Sequence, residues 1–171
     1  MSTTFLYIVR FFVIILVQGL IVGQIEFGTG IHPMIYPLIV LMLPFETAPI
    51  LLMVVGFLSG LSVDFLMNTF GMHASAGVLV AYIRPELYRL FAPRDGYDMM
   101  SQPIAKDMGY KWFLSVYGIA IVLHHLWFFI LEYFNWSLWM HILKKTLLSS
   151  IITLVIFILI QILFFSKSRR L

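Results

Sequence analysis

Cysteine is absent from this 171-residue chain, so neither a disulfide nor a thiolate metal site can be part of its chemistry. Charge is also scarce: Asp, Glu, Lys and Arg make up 11% of the residues, against about 25% in a soluble domain. The common catalytic spacings are missing as well. There is no G-x-S-x-G, no phosphate-binding P-loop, no dinucleotide-binding glycine pattern and no H-E-x-x-H. The first apolar run has no small-residue cleavage site and reads as a retained helix.

What remains is apolar. Hydrophobic residues make up 61% of the chain and the mean hydropathy is +0.99. No soluble core of this size could bury that much apolar surface, so the composition predicts an integral membrane protein. The net charge of +3 hints at nucleic acid, but the basic residues sit where apolar runs end. There they set orientation in a membrane, and no nucleic-acid partner is expected.

A spanning helix needs about 20 mostly apolar residues. On that basis the chain reads as one polytopic all-α domain of six spans, at 5–25, 31–45, 47–66, 71–91, 112–134 and 141–165. The second is short and contains Pro33, Pro37 and Pro44, so it is expected to be tilted, kinked or partly re-entrant. Lys and Arg cluster in the 92–111 connection and the tail, which places both termini on the cytoplasmic side of an inner membrane. Lys144 and Lys145, at the outer start of the sixth span, break that pattern. Trp112, Trp136 and Trp139 fall at expected interfaces and read as an aromatic belt.

The most informative stretch is GFLSGLSVDF, residues 56–65. Gly56, Gly60 and Asp64 recur every four residues and share a helical face with Ser59. Small residues at this spacing let helices approach closely, so the face is expected to pack inside the bundle or against a partner helix. It also turns Asp64 away from lipid. Arg84 on the next span is a poor partner for Asp64, because their distances from the intervening turn differ by about 15 Å in depth. Arg84 belongs with Glu46, Glu86 and Arg89 near the cytoplasmic face. Asp64 is expected instead to join a polar cluster with His73, Glu132, Lys144 and Lys145 near the outer face. His124 and His125 point about 100° apart on a helix and cannot share a metal there; one of them, like Gln18 and Gln161, reads as an interhelical hydrogen-bonding group. No metal or cofactor is expected.

The stretch around this face, from Pro44 through Gly56, Gly60, Asp64, Gly71 and Ala74 to Arg84-Pro85, resembles the MreD family of rod-shape-determining inner-membrane proteins, clearest over residues 37–92. The resemblance implies a fold similar to the substrate-binding (S) components of energy-coupling-factor transporters. It implies a non-enzymatic scaffold of the cell-wall elongation machinery, partnered by MreC and, in the same complex, RodA, a class B penicillin-binding protein and MreB. The alternatives are a vitamin-like binding subunit of an energised transporter and an enzyme acting on lipid-linked precursors.

Overall fold

The computed structural model describes residues 3–25, 30–98 and 101–165. Seven α-helices run through them: α1 (Thr3–Leu20), α2 (Pro37–Leu41), α3 (Pro49–Met67), α4 (Met72–Leu90), α5 (Ala105–Met108), α6 (Tyr110–Tyr133) and α7 (Trp139–Phe165). No strand is present among the described residues.

Four stretches are long and apolar enough to cross a membrane: Phe5–Gln24, Pro49–Met67, Tyr110–Tyr133 and Trp136–Phe165. Two of the six expected spans do not meet that standard. α4 is as long as α3, at 19 residues, but carries Arg84, Glu86 and Arg89. The other is 31–45. There only the five residues of α2 are helical, although residues 33–42 are all buried. The prolines explain this: Pro37 serves as the first residue of α2, and Pro33 and Pro44 lie in the irregular stretches on either side.

The long helices form a curved row in the order α1, α3, α4, α6, α7, each packed on the next. The buried segment lies inside the curve. At one end its Gly30 lies beside the Lys145 side chain, and at the other Leu43 lies beside Arg84. The first will be called the turn end, after the α3–α4 turn, and the second the loop end. The N-terminal part of α1 and the last turn of α7 meet at the loop end, where the Arg10 guanidinium sits 5.0 Å from the Phe165 ring.

α3 and α4 form the tightest pair. A Cβ at Gly56 would lie 2.6 Å from the Gly77 carbonyl oxygen, and one at Gly60 would collide with the His73 oxygen and the Ala74 Cα. The glycine face read from the sequence is therefore occupied within the chain, by α4. Asn68, Phe70 and Gly71 turn between the two helices in left-handed conformations. Away from this seam the helices show lipid-compatible faces, such as Leu147, Ile151, Val155, Leu159 and Ile162 on α7. Trp112 does not join an aromatic belt. It is buried against Tyr88, Tyr97 and Phe45, whereas Trp136 is exposed.

Candidate functional site

Asp64 lies one turn before the end of α3 and is 5% exposed. Its carboxylate reaches across to α4. Oδ1 accepts from the Thr69 hydroxyl at 2.6 Å, the His73 amide at 3.0 Å and His73 Nδ1 at 3.1 Å; Oδ2 accepts from the Ala74 amide at 2.8 Å. The amides are first-turn donors that a helix leaves without internal partners. Gly71, at the N-cap position of α4, has no side chain to cap them. Asp64 thus caps the helix that follows its own, and adds a negative charge at the positive end of the α4 dipole.

The expected outer cluster divides into two groups. Asp64, Thr69 and His73 form one. In the other, Lys145 Nζ donates to Glu132 at 3.2 Å and to the Tyr133 hydroxyl at 2.8 Å, and lies 4.8 Å from the Phe129 and Tyr133 ring centres. Lys145 is buried by this clamp, which accounts for a lysine at that depth. Lys144 is exposed on α7, outside both groups. The two groups border a single cavity of about 70 Å³, lined by Gln18, His32, Thr69, His73, Phe128 and Glu132 among others. His73 Nε2 is buried there without a hydrogen-bond partner among the described residues.

At the loop end the expected carboxylate partners of Arg84 do not engage it. Glu86 pairs with Arg89 at 2.5 Å on the surface, and Glu46 is exposed. Arg84 is instead 1% exposed. Its Nη2 donates to the carbonyls of Leu43 and Pro44, and its guanidinium stacks 4.3 Å from the Tyr88 ring centre.

These bonds belong to a larger set. A non-helical backbone buried inside a helical bundle must have its polar groups bonded by the surrounding protein. Here α1, α4, α6 and α7 provide the partners. The Gln18 amide bridges the segment, accepting from the Ile35 N–H at 2.5 Å and donating to the Pro33 carbonyl at 3.4 Å. Ser149 accepts from the His32 N–H and Thr153 from the Met34 N–H, both at 3.1 Å. The Tyr88 and Tyr117 hydroxyls both reach the Leu41 carbonyl.

The segment's own Tyr36 hydroxyl donates to the His73 carbonyl at 2.8 Å and meets His124 Nε2 at 2.5 Å. With the one hydroxyl proton used, the histidine nitrogen is the donor. His125 is fixed by the Ile121 carbonyl at 2.9 Å and the Thr153 hydroxyl at 3.3 Å. Gln161 accepts from the Ala105 amide of α5. No group of three His, Asp or Glu side chains converges on a point among the described residues.

Sequence reasoning singled out Gln18 and the histidines but missed Ser149, Thr153, Tyr36, Tyr88 and Tyr117. One signal was available. Ser149, Thr153, Phe157 and Gln161 recur every four residues along α7 and are all buried. Three of the four are polar, and they mark the inward face of a helix whose opposite face is apolar.

Among the described residues the protein is all-helical, with four helices long and apolar enough to cross a membrane, and its interior polar groups are largely bonded to its own backbone. Comparison of the chain with protein-family models, curated proteins and solved structures finds no match.

Proposed function

We propose that the chain is a non-enzymatic membrane scaffold of the MreD type, holding MreC within the cell-wall elongation machinery of a bacterial inner membrane. RodA, the class B penicillin-binding protein and MreB are its further expected associates. The chain makes six passages in this reading, the second being the buried segment. Both termini face the cytoplasm, on the basis of the Lys and Arg distribution.

The observation that carries the reading is an apolar groove of about 500 Å³ on the outer surface of the bundle, running over α4 between side chains of α3 and α6. Met53, Phe57, Leu61, Val78, Tyr82 and Trp127 line it. The Trp127 indole N–H is held by the Ser75 hydroxyl at 3.3 Å, which fixes the ring at the groove's edge. An apolar helix laid in a groove is a recurring mode of recognition, and the single membrane helix of MreC is the occupant proposed. The Gly56–Gly60 face is not available for this, because α4 covers it.

The transporter reading receives less support. Pockets for small-molecule ligands measure roughly 300–1,000 Å³, and the cavity beside Asp64, His73 and Glu132 has about 70 Å³.

Co-purification with MreC in native lipid tests the proposal. Val78→Trp fills the groove from an intermediate position on α4 and should abolish MreC capture while the chain still folds. Undiminished capture by this variant, together with no photo-crosslink to MreC from positions 57 and 78, would rule out the groove as the contact.

A further inference from the structure

A second feature stands apart from the scaffold reading. At the loop end a pocket of about 350 Å³ opens between the start of α3 and the end of α4, bordered by Glu46, Thr47, Ala48, Arg84, Arg89 and Tyr97 among others. Two positive centres meet there. One is the Arg84 guanidinium. It is almost wholly buried, forms no ion pair among the described residues, and its Nε–H has no hydrogen-bond partner among them. Burying a cation without a counter-charge is unfavourable; the carbonyls of Leu43 and Pro44 and the Tyr88 ring supply partial charge but no anion.

The other is the amino end of α3, a 19-residue helix whose N-cap residue is Ala48 and whose first residue is Pro49. Ala48 gives no side-chain cap. No acidic residue lies in its first turn and Pro49 carries no N–H, so the helix end presents its dipole to the pocket. Of the nearby carboxylates, Glu86 is taken by Arg89, and Glu46 bonds to neither arginine among the described residues.

We propose that this pocket binds a phosphate-type anion, held between the Arg84 guanidinium and the amino end of α3. A helix amino end with a guanidinium beside it suits a phosphate oxygen set in both charge and geometry. Pro49 begins a helix apolar enough to cross a membrane, so the pocket lies at the level where apolar chain gives way to water. Phospholipid headgroups occupy that level, and soluble phosphate can reach it as well. Phe45, stacked 4.1 Å from the Tyr97 ring centre, walls the pocket on the side of the 92–98 connection.

The test uses the full chain in dodecyl maltoside, titrated calorimetrically with dihexanoyl-phosphatidylglycerol and, separately, with inorganic phosphate at constant ionic strength. Arg84→Gln removes the cation but also frees two carbonyls and can unfold the chain. Ala48→Asp avoids this: it places a carboxylate at the helix end, should leave the melting temperature unchanged or higher, and competes directly with the anion. Binding of the short-chain lipid by the wild type, weakened about tenfold or more in Ala48→Asp, supports a headgroup site. The same loss seen with inorganic phosphate supports the site with a soluble source. Equal binding by wild type and a folded Ala48→Asp, or no binding of either probe, overturns the proposal.

Discussion

The α3–α4 hairpin and the 30–45 segment solve one problem in opposite ways. Both place backbone deep in the bundle. The hairpin satisfies its amides and carbonyls within each helix, and brings the helices together until only glycine fits between them. Asp64 then closes the few groups left at the start of α4. The segment has five residues of helix and must borrow partners from four other helices. The hairpin is therefore sensitive to volume, and the segment to the loss of single polar atoms.

Substitutions can separate the two. The largest effect is expected from Gly60→Leu, which drives a side chain into the backbone of His73 and Ala74. A loss of about 3 kcal/mol or more is expected, read as failure to resist unfolding in an SDS titration. If the variant proves as stable as the wild type, the hairpin is not volume-limited. Gln18→Leu keeps the bulk but strands the Ile35 amide and the Pro33 carbonyl, for about 2–3 kcal/mol. Hydrogen exchange should then quicken over residues 33–42 while α3 and α4 keep their protection. Uniform loosening would mean that the segment and hairpin open as one unit.

Smaller effects follow. Asp64→Asn retains one acceptor oxygen and loses the charge at the head of α4, for about 1 kcal/mol. Exchange of the His73 and Ala74 amides should register it first. Lys145→Ala and Lys144→Ala complete the series. The first breaks the Glu132–Tyr133 clamp and should lower stability measurably, whereas the second should stay within about 0.5 kcal/mol of wild type. Equal effects from the two lysines would contradict the clamp.

The hairpin was largely legible in the sequence and the segment largely was not. Gly56, Gly60 and Asp64 repeat within one helix, so their common face follows from helical geometry. The depth arithmetic that separated Asp64 from Arg84, and the expected nearness of His73, needed only helical rise and the position of the turn. The 31–45 stretch showed three prolines and an apolar composition, enough to suggest a break but not what bonds it. Its partners lie far off in the chain: Thr153 is 119 positions from Met34, and Tyr117 is 76 from Leu41. No local pattern carries such pairings. The grouping of Arg84 with Glu46 and Glu86 near the cytoplasmic face misses its partners for the same reason, since the carbonyls it bonds belong to the broken segment. Lys145 was placed with Asp64, although Glu132 and Tyr133 on the neighbouring helix satisfy it first.

The distance from Met34 to Thr153 also sets a clock. A ribosome adding about 5–20 residues per second needs roughly 6–24 s to make the 119 residues that separate an amide from its acceptor. Throughout that interval the amides of His32 and Met34 lack the hydroxyls that will receive them. Those two amides gain their acceptors only once α7 has been made and packed against the segment.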